Sequence, residues 1–123
     1  MTSKKIAKDY NLILAETVAA GMQELKASEI VLMDMRKVKN AMTDYMVICH
    51  GGSHNQVEAI ARSVEKQTGE KLNDKPWHIE GMRNSQWILM DYVNVVAHIF
   101  DKESRYFYAL EELWADATTT KLD

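Results

Sequence analysis

The residues best suited to chemistry lie in the stretch VICHGGSHNQVEAI, residues 47–60. An apolar run ends in Cys49 and His50, two glycines and Ser53 follow, and an amphipathic pattern then begins. A strand, a glycine turn and a helix start in this order can hold a phosphate against backbone N–H groups. The spacing matches neither the P-loop nor the dinucleotide-binding fingerprint, and no lysine follows to meet the phosphate charge. We therefore favour an ordinary turn followed by a helix cap.

The histidines and the cysteine give no metal-binding pattern. His50 and His54 are separated by the glycine turn, so they do not share a helix face. No His-Glu-x-x-His or Cys-x-x-Cys motif is present. His98 stands in an apolar run, where a hydrogen-bonded structural histidine is more common than a ligand. Cys49, the single cysteine, is interpreted as a packed thiol, and we expect neither a metal nor a cofactor.

Three aspartates at the ends of predicted strands are the remaining enzyme signal: Asp34, Asp44 and Asp91. Carboxylates in such positions can hold the two metal ions of a nucleotidyl-transfer site. Aspartate also commonly begins a turn, because its side chain accepts a hydrogen bond from the backbone that follows. We favour the turn interpretation. A nucleotide-binding, nucleotidyltransferase-like enzyme built on Asp34, Asp44 and the Gly-Gly-Ser turn stays open as the alternative function.

The composition indicates one globular domain at residues 1–116 with a flexible tail at residues 117–123. The 123 residues are 46% hydrophobic and 27% charged, which is typical of a chain that can bury a core. The formal net charge of -3 argues against broad nucleic-acid binding, which needs a basic surface, and we expect no direct sequence-specific contact. One cysteine and the absence of a long apolar run predict a cytoplasmic location, with no signal peptide and no membrane span.

Hydrophobic periodicity predicts three helices. Apolar residues recur at helical spacing over residues 5–25. Ser53 begins the second helix with a capping box, in which it accepts from the Gln56 N–H and the Gln56 side chain returns to the Ser53 N–H. Gly69 is the expected end of that helix. Asp101 caps the last helix, whose predicted apolar face comprises Tyr106, Phe107, Leu110, Leu113 and Trp114.

Five apolar, β-branched-rich runs predict strands. They are EIVLMDM from Glu29, DYMVIC from Asp44, WHIEG from Trp77, QWILMDY from Gln86 and VVAHIF from Val95. Short connections make the first two strands and the last two strands antiparallel pairs. The order α-β-β-α-β-β-β-α predicts an α+β, two-layer fold with a mixed sheet of about five strands and helices mainly on one face.

Several of these strands are apolar at both alternating positions, whereas a sheet with one wet face should alternate apolar and polar residues. Two explanations remain open at this point. Either part of the sheet is left uncovered for a partner, or the end helices wrap around and cover it.

A series of short motifs runs in order from about Leu12 to Trp114, most of the chain. The motifs are Thr43-Asp44-Tyr45, Gly51-x-Ser53-x-x-Gln56, Glu80-Gly81, Trp87 with Asp91, His98-x-Phe100, and Arg105-x-x-Tyr108-x-Leu110-Glu111-x-Leu113-Trp114. Taken singly they are weak signals. In this order and at this spacing they resemble the ribosomal silencing factor family, whose members are also called Iojap-like or RsfS proteins.

The resemblance implies a function without chemistry. Members of the family bind the large ribosomal subunit through its L-fourteen protein, block its association with the small subunit, and repress translation when nutrients are limiting. Their fold is similar to a nucleotidyltransferase core that lacks the catalytic residues, and they are often homodimers when free. The chain departs from the family pattern at His50, where a small hydroxyl residue is usual, at Val93-Asn94, where the turn is usually Gly-Asp, and at Ala97, where a larger aliphatic residue is usual.

Two groups of residues are predicted to form the contact with the partner. Interface centres are rich in aromatic residues and arginine and are surrounded by a polar rim. Strand periodicity places Trp87, Leu89 and Asp91 on one face of their strand. The proposed apolar centre is Trp87, Leu89, His98 and Phe100, and the proposed rim is Asp44, Glu80, Asp91 and Arg105. A core position for Trp87 is the alternative, and Tyr108, Leu110 and Trp114 are predicted to pack the last helix on the sheet.

Overall fold

The computed structural model describes residues 9–122 and shows helices packed on both faces of one sheet. The helices are α1 (Tyr10–Glu24), α2 (His54–Leu72), α3 (Lys102–Tyr108) and α4 (Leu110–Leu113). The strands are β1 (Ser28–Asp34), β2 (Tyr45–Gly51), β3 (His78–Glu80), β4 (Trp87–Asp91), β5 (Val95–Asp101) and β6 (Thr118–Lys121). Within these residues no helix is long and apolar enough to cross a membrane.

The six strands lie in the order β3-β4-β5-β2-β1-β6. The central β2–β5 pair is parallel and every other neighbouring pair is antiparallel. The α+β prediction with a mixed sheet is therefore confirmed, and so are the two antiparallel pairs that short connections indicated. The sheet has one strand more than the five predicted.

The additional strand is β6, in the segment predicted to be a flexible tail. Its residues 118–121 pair with β1, and the Leu122 N–H then donates to the Ile30 carbonyl over 2.9 Å. The Gln23 side chain of α1 donates to the Leu122 carbonyl over 3.0 Å. The flexible-tail prediction is wrong for this segment, because backbone hydrogen bonds to the open edge of β1 hold a strand that has no hydrophobic pattern of its own.

One face of the sheet carries α1 and α2 over the larger core. Leu14, Val18 and Met22 of α1 are almost fully buried there together with Val47 of β2. The two helices approach closely at Gly21, where an added Cβ would stand 2.7 Å from the Val64 Cα. This close contact fixes α1 against α2.

Helix α2 begins as predicted but ends later. The Ser53 hydroxyl accepts from the Gln56 N–H over 3.1 Å, while the Gln56 side chain accepts from the Gly52 N–H, not from the Ser53 N–H. The helix passes through Gly69, so the predicted end there is wrong. Asn73 ends it instead, with φ of 53° and its N–H bonded to the Gly69 carbonyl. Asparagine tolerates this left-handed conformation.

The opposite face of the sheet is covered by the end of the chain. Its buried residues include Met33, Ile48 and Phe100, against which Leu110 and Trp114 pack as predicted. Of the two explanations for the doubly apolar strands, coverage by the carboxyl-terminal helices holds for β1, β2 and β5, whereas Trp87 and Leu89 of β4 stay half-buried. The predicted single last helix, however, breaks into α3 and α4 at a residue with left-handed φ, Ala109.

The break leaves much of the predicted apolar face of that helix in solvent. Tyr106, Phe107 and Leu113 are 57%, 79% and 69% exposed, so their predicted core positions are wrong. The helix axis changes direction after residue 108, so helical spacing no longer aligns the residues on both sides of Ala109. Two exposed aromatic residues, Phe107 and Tyr108, lie beside β4, whereas Tyr106 lies against His50 of β2.

Candidate interaction surface

The Gly-Gly-Ser turn lies at an open cleft of about 450 Å³ between α2 and α3. The parallel strands β2 and β5 end here and their helices leave to opposite faces, an arrangement that often binds ligands. In this chain the backbone N–H groups of Gly52 and Gln56, which could otherwise bind an anion, already donate to the side chains of Gln56 and Ser53. The Asp101 carboxylate caps α3 through the Ser104 N–H at 2.7 Å and lies 3.4 Å from the His54 ring. The arrangement supports the interpretation as turn and cap.

The predicted carboxylates of the alternative enzyme do not come together with that turn. Asp44 precedes β2 and Gly52 follows it, so they are roughly 25 Å apart at about 3.3 Å per strand residue. Asp34 pairs with Arg36 at 2.7 Å, and the Arg36 guanidinium lowers the pKa of the Asp34 carboxyl. Asp91 accepts from the Val93 N–H at 2.7 Å, as a turn residue does. Within residues 9–122, no group of three ligating side chains could hold a metal ion.

The Val93-Asn94 turn, which replaces the Gly-Asp usual in the family, adopts an unusual geometry. Val93, and not Asn94, takes positive φ, at 77°. The Asn94 N–H donates to the Tyr92 carbonyl over 3.0 Å, which closes a three-residue turn. Positive φ in a β-branched residue is strained.

Strand β4 presents two different faces, as its periodicity predicts. Ile88 and Met90 are fully buried under the α1–α2 layer. Trp87, Leu89 and Asp91 are half-buried on the opposite face. The cross-strand pairs Glu80–Leu89 and Leu89–His98 extend that face over β3 and β5, because paired residues point to the same side of a sheet. Most of the predicted contact residues therefore share one face.

Trp87 is the centre of an aromatic group on this face. Its ring stacks on Phe100 with centroids 4.9 Å apart and contacts Tyr108 at 4.6 Å. Phe107 meets Tyr108 edge-on at 5.0 Å. Phe100 has no exposed area, whereas Tyr108 is 48% and Phe107 79% exposed. We call Trp87, Phe107 and Tyr108 the aromatic surface; Phe100 supports it from below and is not itself available for contact, contrary to its predicted place in the interface.

His98 fixes the Trp87 indole from the side. Its Nδ1 accepts from the indole N–H over 3.1 Å, which requires a neutral ring with the proton on Nε2. The His98 side chain is 6% exposed, and burial lowers its pKa from 6.5 to about 4. His98 therefore acts as a buried acceptor for the tryptophan, as its apolar surroundings predicted, and at 6% exposure it is not itself available for contact, contrary to its predicted place in the interface.

The four residues predicted for the rim differ in their exposure and in their position relative to the aromatic surface. Glu80 is exposed and pairs with His78 at 2.8 Å, and Asp91 lies at the edge of the same face. Asp44 accepts from Asn11 of α1 at 3.1 Å, which turns it toward the helix layer and away from the aromatic surface. Arg105 is only 2% exposed, so its predicted position on the rim is wrong.

Arg105 instead ties three segments together. Its Nε and Nη2 donate to the two Glu111 oxygens at 3.3 and 2.9 Å. Its Nη1 donates to the Ser28 carbonyl at 3.3 Å and lies 3.1 Å from the Nδ1 of His50, which is 4% exposed. A bulge in β1 at Glu29, with φ of 50°, interrupts the register between Ser28 and the rest of the strand.

Tyr108 and Phe107 are the surface residues that the sequence interpretation missed. The sequence predicts Tyr108 to pack on the sheet; it does contact Trp87 and Phe100, but it is also 48% exposed. A usable signal was present, however. Three consecutive aromatics, at 106, 107 and 108, cannot all face one core, because successive helical residues are about 100° apart.

Comparison with known proteins agrees with this geometry. Residues 8–123 match the family model described as "Ribosomal silencing factor during starvation". The ribosomal silencing factor RsfS of Bacillus subtilis is 37% identical over 110 residues, which cover 89% of this chain and 92% of that protein. The mouse protein named "Mitochondrial assembly of ribosomal large subunit protein 1" is 34% identical over 74 residues, covering 58% of this chain and 32% of its own length.

Two solved structures have the same fold. A Chromobacterium violaceum protein has a TM-score of 0.79 at 27% identity, covering 85% of each chain. A Bacillus halodurans protein has a TM-score of 0.76 at 32% identity, covering 90% of this chain and 99% of its own. By family model, by sequence identity and by fold, the chain belongs to the ribosomal silencing factor family.

Proposed function

We propose that this protein binds the large ribosomal subunit through its L-fourteen protein and sterically blocks association with the small subunit. Translation is thereby repressed under nutrient limitation, in the cytoplasm, and no catalysis is involved. Family membership supports the silencing role, and the printed name of the mouse relative links that protein to the large subunit. The observation that carries the proposal for this chain is the aromatic surface.

The aromatic surface has the composition of an interface centre. Tyr108 and Phe107 are 48% and 79% exposed, and Trp87 is half-buried beside them. Aromatic side chains provide a large contact area with few rotatable bonds, and they are common among the residues that dominate binding energy. Trp87 is also held in place before binding, by Phe100 and by the hydrogen bond to His98, so little side-chain entropy is lost when a partner docks.

Carboxylates beside this surface favour a basic partner. Glu80 and Asp91 lie on the same sheet face as Leu89, and the chain has a net charge of -3. Complementary charge at the rim of an interface mainly raises the association rate. A ribosomal protein with a basic surface fits this arrangement. The exposed aromatics also offer a surface to a second copy of the chain, so we propose that a free homodimer buries them and competes with ribosome binding.

Co-sedimentation with isolated large subunits tests the proposal. Trp87→Ala and Tyr108→Ala should each weaken binding by at least about 30-fold, since truncating a central anchor typically costs about 2 kcal/mol or more. Trp77→Ala is the matched control, because Trp77 is 80% exposed at the opposite end of β4 and outside the aromatic surface. Circular dichroism verifies that each variant is folded. Unchanged binding of folded Trp87→Ala and Tyr108→Ala would show that the surface is not the contact.

A further inference from the structure

We propose that Arg105, Glu111 and His50 form a clamp that positions Tyr108 in the aromatic surface, and that proton uptake by His50 opens this clamp. The inference rests on the proposed function, in that it adds a pH-dependent control to the same surface. His50 and Arg105 are buried, at 4% and 2% exposure, so they act by positioning.

The hydrogen-bond roles in the clamp follow from the chemistry of the two side chains. A guanidinium offers only donors, so at 3.1 Å the His50 Nδ1 must be the acceptor and its ring proton must lie on Nε2. A doubly protonated imidazole has no acceptor nitrogen. Protonated His50 would also place its positive charge against the Arg105 guanidinium, although the two residues are only 4% and 2% exposed. The closed clamp therefore holds only neutral His50.

The charged groups around His50 come from three elements. Arg105 and Lys102 of α3 disfavour its protonation, whereas Glu29 of β1 and Glu111 near the start of α4 favour it. The Tyr106 ring packs 6.1 Å from the imidazole. The net effect is a lowered pKa of His50, with burial as the largest cause and Arg105 next.

The clamp reaches Tyr108 through the helix break. Arg105 lies one helical turn before Tyr108, and its carbonyl accepts from the Ala109 N–H at 2.9 Å. Its side chain bonds Glu111 on the far side of Ala109, so the ion pair spans the residue at which α3 changes to α4. Ala109 and Glu29 both hold positive φ, at 45° and 50°. Such conformations persist only where surrounding contacts enforce them.

The direction of the pH effect follows from linkage. When the clamp opens, His50 is solvated and regains an ordinary pKa of about 6.5. The open state thus binds more protons than the closed state, and acid favours it. The stabilisation of the closed clamp is complete above about pH 6.5 and is lost progressively as the pH falls below that value.

Amide hydrogen exchange followed by NMR tests the clamp without any ribosome. Between pH 7.5 and 5.0, after correction for intrinsic rates, protection of the Ala109, Leu113 and Trp114 amides should fall about tenfold relative to amides of α2. His50→Asn is the matched variant, because its amide oxygen can accept from Arg105 but does not titrate. Its protection should be independent of pH, and His50→Ser, with a hydroxyl acceptor, serves as a second non-titrating variant.

The outcomes separate the clamp from the proposed function. Protection that stays constant in the wild type, or that falls equally in His50→Asn and His50→Ser, would overturn the clamp. Large-subunit binding that weakens below pH 6.5 in the wild type but not in His50→Asn would support its role in binding. A pH-dependent clamp in a protein that never binds large subunits would uphold the clamp and refute the proposed function.

Discussion

Lowering the pH from 7 to 5 is expected to destabilise this protein through His98. The ring is nearly inaccessible on the central strand β5, and its Nδ1 accepts from the Trp87 indole. Burial lowers the pKa of His98 from 6.5 to about 4. In the unfolded chain the same ring is solvated and protonates near pH 6.5. Between these two values the unfolded state binds the additional proton.

The size of the effect follows from the two pKa values. Because the unfolded state binds more protons, the free energy of unfolding decreases as the pH falls below about 6.5, and this loss ends near pH 4 where the folded state also protonates. One unit of pKa difference corresponds to about 1.4 kcal/mol. Between about pH 6.5, where the unfolded ring protonates, and pH 5 lie roughly 1.5 units. His98 alone is therefore expected to lower the free energy of unfolding at pH 5 by about 2 kcal/mol.

Urea unfolding of the wild type and of His98→Asn at pH 7, 6 and 5 measures this cost. Asparagine can accept from the Trp87 indole but does not titrate, so the variant should lose about 2 kcal/mol less than the wild type between pH 7 and 5. Other titrating groups, His50 included, are present in both proteins and cancel in the comparison. Parallel pH profiles for the two proteins would refute the assignment of His98 as a buried neutral acceptor.

Three further perturbations are expected to have defined results. Val93→Gly should raise the free energy of unfolding by about 1 kcal/mol in urea titrations. The substitution removes the strain of a positive φ at 77°, and the greater backbone entropy of glycine in the unfolded chain offsets only part of this gain. A loss of stability would contradict the turn geometry. Gly81→Ala should destabilise by at least about 2 kcal/mol, since its φ is 90° and an added Cβ would lie 1.9 Å from the Trp87 carbonyl oxygen; thermal unfolding measures this, with Gly69→Ala, which meets no atom within 4 Å, as the control. Calorimetry with ATP and Mg²⁺ should give no saturable heat, because Asp44 and the Gly-Gly-Ser turn lie at opposite ends of β2; saturable binding would favour the nucleotidyltransferase-like alternative.

Local patterns were sufficient for the elements that bury one regular face. The two-residue period of β4 correctly separated Ile88 and Met90 from Trp87 and Leu89. The start of α2 was also predictable, because Ser53 and Gln56 satisfy free N–H groups within four residues of each other. Such interactions depend on neighbours in sequence, so composition and spacing contain the necessary information.

Arg105 illustrates what spacing could not provide. Its type suggested a charged rim residue, but it is buried by partners that include Ser28 and His50, 77 and 55 residues away in sequence. A buried guanidinium requires several acceptors at once, and only the folded chain brings them together. The same holds for β6, which exists because β1 has an open edge beside it.

The sequence by itself determined the family, the α+β class and the separation of β4 into two faces, but it left open whether Trp87 lies in the core or in the contact surface. The tertiary structure decided which aromatic residues surround that tryptophan in solvent. Phe107 and Tyr108 are exposed at the end of α3, and the break at Ala109 that follows them is held by an ion pair across the break and by a contact from the distant strand β1. Local propensity favours a continuous helix at this position, so only long-range contacts could produce the exposed surface.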